Sequence, residues 1–173
     1  MKIAGLAFCI VALLGAAHAA TPPLLPMPAH VQVASGSLAV DDATPIIVPE
    51  HDAATRRTAQ YLADLLARTR GLHLKVKAGK APRGAIALSR DADAPVAHAE
   101  GYALDVTPQG IHISARDDAG VFYGAVTLWE LLTPDGQHGA VQVPAMEIRD
   151  QPRFEWRGLM LDSARHFQSV AEV

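Results

Sequence analysis

Apolar and polar side chains alternate most sharply where Tyr102-Ala103-Leu104-Asp105-Val106 and Ile111-His112-Ile113-Ser114-Ala115 flank Thr107-Pro108-Gln109-Gly110. Period-two alternation on both sides of a Pro/Gly turn predicts a β-hairpin. Shorter runs predict further strands: Val31–Val33, the β-branched run between Pro45 and Pro49, Leu72–Val76, Ala85–Leu88, Val141–Val143 and Ala145–Ile148, with a turn at Gly36-Ser37. Two stretches carry the helical period. Asp52 can cap a helix whose apolar side runs through Ala54, Tyr61, Leu62, Leu65 and Leu66, with Gly71 just past its end. Asp117 and Asp118 suit the positive end of a second helix, along which Phe122, Ala125, Val126, Trp129 and Leu132 recur before Thr133-Pro134. A stripe of that width is read as core and not as a sugar-stacking platform. The order of elements predicts an α+β layer over residues 21–150, a mostly antiparallel sheet with two helices on one face.

The N-terminus changes where this layer is placed. Lys2, the apolar run Ile3 to Gly15 and Ala17-His18-Ala19 have the layout of a secretory signal peptide over residues 1–19, cleaved after Ala19. The run is shorter than the roughly 20 residues a spanning helix needs, and no second apolar segment is long enough. The protein is therefore expected to be exported, to the periplasm or beyond, without a membrane span. Cys9 lies in the leader, so the mature chain has no disulfide and depends on its own core. Pro22, Pro23 and Pro26 make its first residues extended. The whole chain has 15 basic and 18 acidic residues for a net charge of −3, and loss of Lys2 makes it −4. That balance, without basic runs, excludes a nucleic-acid partner.

Candidate chemistry is sparse until residue 153. The eight histidines stand far apart, and Asp91 and Asp93 lack the glycine and distal glutamate of a calcium loop, so neither a metal nor a cofactor is expected. Arg149-Asp150-Gln151-Pro152 reads as a domain boundary. In the following stretch, Arg153 to Phe167, the unalternating run Gly158-Leu159-Met160-Leu161 suits a strand buried on both faces. Asp162, Arg165 and His166 cluster just past its end, where barrels of parallel strands carry their sites. Asp162, Ser163 and His166 include the residue types of a hydrolase triad, but no nucleophile elbow surrounds Ser163. From the residues alone, Asp162 and Arg165 suit a structural ion pair as well as a ligand site. Ser169 can cap a helix beginning at the C-terminus.

The segment Trp156 to Phe167 resembles the first barrel strand of the family 20 glycoside hydrolases, the β-N-acetylhexosaminidases. Gly101 to Ile111 and Ala119 to Leu128 are similar to the accessory domain that precedes that barrel. The resemblance implies an exo-acting enzyme that removes terminal N-acetylhexosamine from oligosaccharides or glycoconjugates by substrate-assisted retaining catalysis. It implies that Arg165 hydrogen-bonds the terminal sugar's hydroxyls, that Asp162 and His166 orient it, and that Arg157 supports the contact between domains. The family's catalytic Asp-Glu pair belongs to a later barrel strand, so no catalytic residue is expected in this chain. A barrel needs about 250 residues, so residues 151–173 are expected to be the start of an incomplete (β/α)₈ domain. The alternative is a stand-alone exported carbohydrate-binding or interaction module.

Overall fold

The computed structural model describes residues 22–160 and 169–171. The elements follow in the order β1 (His30–Val40), β2 (Ile46–Val48), α1 (Ala53–Arg70), β3 (Val76–Ala78), β4 (Ile86–Arg90), β5 (Tyr102–Thr107), β6 (Gly110–Ala115), α2 (Asp118–Leu132) and β7 (Val141–Asp150). The predicted hairpin forms as β5 and β6. Thr107 pairs with Gly110 across a loop of Pro108 and Gln109, and its hydroxyl accepts the Gln109 N–H at 3.2 Å while donating to the Gly110 carbonyl at 3.0 Å.

All strands belong to one sheet, ordered β1-β7-β5-β6-β4-β2-β3. The expectation of a mostly antiparallel sheet is corrected here, because the sheet is mixed. β1–β7, β7–β5 and β5–β6 run antiparallel, whereas β6–β4, β4–β2 and β2–β3 run parallel. Parallel neighbours need a crossover of a dozen residues or more, and the 18 residues of α1 supply it between β2 and β3. The first and last strands pair with each other from His30–Arg149 to Val40–Val141, closing the domain on itself. The turn expected at Gly36-Ser37 is instead an irregularity within β1, between Val33 and Ser37, with Gly36 at φ 98°.

Both helices lie on one face. Ile86, Leu88, Leu104, Ile111, Ile113 and Ile148 of the sheet meet Leu62, Leu66, Leu128 and Leu132 of the helices, all essentially without exposure. The opposite face is polar: Ser89 and His112 share a hydrogen bond at 3.0 Å, and Arg149 bridges Asp105 at 2.7 Å and Glu147 at 3.0 Å. The apolar stripes read from sequence are partly rotated. α1 buries Ala59, Leu62, Ala63 and Leu66, and leaves Tyr61 exposed. α2 buries Gly120, Val121, Gly124, Ala125, Leu128, Leu131 and Leu132, and leaves Phe122 exposed. The reason is close approach. A Cβ at Gly120 would lie 2.1 Å from the Gly101 carbonyl oxygen, and one at Gly124 would lie 2.6 Å from an Ile113 methyl, so the glycines mark the face that touches the sheet. Trp129 lies between the helices, its indole N–H donating to the Thr69 hydroxyl at 2.9 Å.

Arg90, at the end of β4, joins the starts of both helices. Its Nε donates to Asp52, the α1 cap, at 2.9 Å and lies 3.2 Å from Asp118 in the first turn of α2. Asp52 also accepts the Thr55 N–H at 3.0 Å and the Thr55 hydroxyl at 2.8 Å. Burial alone would push the Asp52 carboxyl up, but the Arg90 and Thr55 hydrogen bonds outweigh it and hold it at about 2, below its ordinary 3.8. The group is depressed on folding, so its stabilisation is present above pH 4 and is lost as the pH falls through about 2. The loss should be about 1 to 2 kcal/mol, discounted because Arg90 is 45% exposed. Asp52→Asn keeps the cap but not the charge, so its melting temperature should vary less than wild type between pH 4 and 2. Parallel curves would remove Asp52 as the source of acid sensitivity.

The strand expected at Gly158-Leu161 is absent over Gly158–Met160. These residues are irregular, with Leu159 90% and Met160 89% exposed, and Leu161 lies outside the described residues. A strand covered on both faces needs neighbours and two flanking layers, and the seven strands of this sheet pair only with one another. Val170 and Ala171 lie in a turn, and Glu172 and Val173, over which the expected helix would continue, lie outside the described residues.

Candidate functional site

Where the chain leaves β7 it borders a groove of about 390 Å³. Tyr102 begins β5 at its floor, Tyr123, Thr127 and Glu130 face it from α2, and Asp150 ends β7 beside them. Met27, Phe154 and Arg157 also line it.

Three carboxylates organise the groove. Glu130 accepts the Leu25 N–H at 3.3 Å, and Asp150 accepts the Ala29 N–H at 2.9 Å. Glu100 accepts from the Arg157 guanidinium, whose other terminal nitrogen donates to the Phe154 carbonyl at 2.9 Å. Tyr102 and Thr127 share a hydrogen bond at 2.7 Å. Burial pushes the Tyr102 phenol up; the Thr127 bond opposes this, and the nearby Asp150 and Glu130 charges add to it, so the group stays protonated. Glycoside hydrolysis needs a carboxyl free to give a proton to the leaving oxygen. Each carboxylate here accepts a hydrogen bond from its own chain, so the groove holds chain segments together.

The residues predicted to touch or organise substrate, Arg165, Asp162 and His166, lie outside the described residues, as does Ser163. Arg157, expected to support a contact between domains, pairs with Glu100 of this chain. Sequence reasoning missed Glu100, Glu130 and Asp150. Their one signal is position, since each lies within two residues of an element boundary, and charge at such places is ordinarily solvated. Among the described residues no three His, Cys, Asp or Glu side chains gather as metal ligands, and Asp91 instead accepts the Asp93 N–H at 2.9 Å. No described helix is long and apolar enough to cross a membrane.

A second concavity lies on the polar sheet face beside Arg83, Asp105 and His112. The Ser89–His112 bond and the neighbouring Asp105 bring serine, histidine and aspartate together, but Asp105 is committed to Arg149 and the row is open to solvent.

Comparison with known proteins places this architecture. Residues 21–151 match the family model for glycosyl hydrolase family 20, domain 2. The chain is 35% identical over 156 residues to a β-hexosaminidase of Porphyromonas gingivalis, covering 87% of this chain and 20% of that protein. It is 34% identical to a β-N-acetylhexosaminidase of Cellulomonas fimi, covering 87% of this chain and 30% of the relative. In three dimensions it is similar to the family 20 β-N-acetylhexosaminidase of Streptomyces coelicolor A3(2), with a TM-score of 0.71 and 37% identity over 88% of this chain and 32% of the other. The chain thus spans a third or less of the length of these relatives. A domain-length family match, together with the same fold at that identity, means that the chain belongs to glycoside hydrolase family 20, the family of the β-hexosaminidases.

Proposed function

We propose that this chain is the N-terminal part of an exported, exo-acting β-N-acetylhexosaminidase that hydrolyses terminal non-reducing N-acetylhexosamine residues. The observation that carries the reading is the family match over residues 21–151, continued by the sequence motif Trp156 to Phe167. A relative from Vibrio harveyi, an exo β-N-acetylglucosaminidase, has been solved with N-acetylglucosamine. On this reading the substrate's acetamido oxygen attacks the anomeric carbon while a glutamic acid gives its proton to the leaving oxygen, and an aspartate orients the acetamido group. Water then displaces the acetamido oxygen from the anomeric carbon and returns a proton to the glutamate, so two inversions retain the configuration. The acid and its partner aspartate belong to the barrel beyond this chain. Arg165 is the sugar-binding residue supplied here, oriented by Asp162 and His166. Its planar fork of donors suits adjacent hydroxyl oxygens.

The test is hydrolysis of a chromogenic β-N-acetylglucosaminide. The 173-residue chain should release nothing, and the complete translation product should turn over. Activity in the short chain would overturn the assignment of the acid to a later strand. An inactive complete product, with chitooligosaccharide binding by the short chain, would favour the stand-alone exported carbohydrate-binding module.

A further inference from the structure

The cations of this chain are not spread evenly. Its lysines are Lys2, in the expected leader, and Lys75, Lys77 and Lys80, with Arg83 three positions further on, and no acidic residue occurs between Asp64 and Asp91. β3, which carries Lys77, is an edge strand paired only with β2. Leu72, Leu74 and Val76 pack into the core while His73, Lys75 and Lys77 between them are exposed. Strand alternation therefore sets Lys75 and Lys77 about 7 Å apart on the face away from the helices. The ladder continues that face in one row, Lys77 beside Ile47, then Ala87, His112 and Asp105. Lys80 and Arg83 stand in the exposed loop from β3 to β4, and Arg83 borders the concavity of about 470 Å³ on the same face, with Gln109 and His112. Among the described residues no ion pair engages Lys75, Lys77, Lys80 or Arg83. In the adjoining loops Asp41 accepts the Ala43 N–H at 2.9 Å, Asp42 accepts the His73 N–H at 2.7 Å, and Glu50 stands past the end of β2.

Lysine on an edge strand discourages pairing with a further strand. That accounts for β3 and not for Lys80 and Arg83, which lie beyond it. Four unpaired cations in a chain of net charge −3 form a local surface for a polyanion. The residues between them decide which kind. From Leu72 to Arg90 there is no aromatic residue, so bases have nothing to stack on. No large apolar side chain is exposed there either, so the edge has neither a wedge for a bilayer nor an anchor for a protein partner. A hydrophilic polymer with regularly spaced charges fits both the row and the polar concavity beside it. We propose that the Lys75–Arg83 edge binds an acidic polysaccharide, its carboxylates over the cations and its hydroxyls toward Gln109 and His112. The choice of a glycan rests on the reading of this chain as part of an exported glycan hydrolase, whereas the cationic edge does not.

Titration of the 173-residue chain with polygalacturonate, a polymer of carboxylated sugars, tests it. Polygalacturonate should bind, with an affinity that falls at least about fivefold between roughly 20 and 200 mM salt. Combining Lys75→Gln, Lys77→Gln and Lys80→Gln should weaken binding at least about tenfold, while arginine at the same three positions should keep it within about threefold. Arg56→Gln, Arg57→Gln and Arg68→Gln together remove the same charge from the exposed side of α1 and should also stay within about threefold. All the substituted side chains face water, so melting should stay within about 2 °C of wild type. Should the lysine triple not fold, Lys77→Gln alone should weaken binding at least about twofold. The site is overturned if polygalacturonate does not bind at low salt, or if the α1 triple loses as much, since net charge would then be the cause. Tighter binding of phosphatidylglycerol vesicles or duplex DNA, competing with polygalacturonate, would assign the edge to a membrane or a nucleic acid instead. A lysine triple that dimerises with undiminished affinity would leave the lysines as guards of the edge strand and remove the site. Hydrolysis by the complete product separates the two readings. An inactive product that binds polygalacturonate through these lysines defeats the activity alone, and an active one that does not bind defeats the site alone.

Discussion

Arg165→Ala in the complete enzyme is expected to lower kcat/KM by about 10- to 100-fold or more. A hydrogen bond from a charged donor contributes about 1.5 to 3 kcal/mol, and a guanidinium facing two neighbouring hydroxyls makes more than one. Arg165→Lys should not restore the loss, because an ammonium on a flexible stem keeps the charge but not the fixed pair of donors. If Arg165 were instead half of a structural ion pair with Asp162, the alanine variant would melt earlier while the folded fraction kept normal kinetics. Melting temperature and kcat/KM on one preparation therefore decide between them. A destabilised but kinetically intact variant takes Arg165 out of the site.

Gly120→Ala should destabilise the accessory domain although it improves the local helix. Alanine gains about 1 kcal/mol over glycine in a helix interior. Against that, the added methyl would lie 2.1 Å from the Gly101 carbonyl oxygen and 2.7 Å from Ala115 Cβ, so backbone must move. Overpacking of this kind costs about 1 to 3 kcal/mol and more when backbone is the obstacle. The clash wins by about 2 kcal/mol, and melting should fall by roughly 4 to 8 °C. Gly124→Ala should also destabilise, because its methyl would meet the Ile113 Cγ2 at 2.6 Å and the Tyr102 ring at 3.2 Å, both buried in the core. Ala119→Ser, exposed one residue before Gly120, should shift melting by less than about 2 °C. If Gly120→Ala melts with wild type, the separation of α2 from the sheet is not set by this contact.

The β5–β6 hairpin and the ends of α1 were legible because their signals are local. Alternation around Pro108-Gln109 needs only neighbouring residues, and Asp52 and Gly71 cap α1 through bonds within one turn of helix. The rotation of the helices was not legible. Hydrophobic size points to Tyr61 and Phe122 as core, yet α2 approaches the sheet at Gly120 and Gly124, and the two rings are exposed and pack on each other. The groove was illegible for a related reason: Glu100, Glu130 and Asp150 look like ordinary surface charges until the segments they hold are brought beside them.

By itself the sequence determined both helices, the polar and apolar faces of the hairpin, and, through Gly101 to Ile111 and Ala119 to Leu128, the family resemblance that the domain match bears out. These are properties of adjacent residues, fixed by backbone sterics and side-chain period. Only the tertiary structure decided that β4 lies parallel between β6 and β2, that β1 and β7 close the domain, and that the aromatic rings gather outside the core. Those outcomes depend on pairings between residues well separated in the chain, Ile86 with Ile111, Ile46 with Ile86 and His30 with Arg149, whose energies exist only once the chain has closed the loop between them.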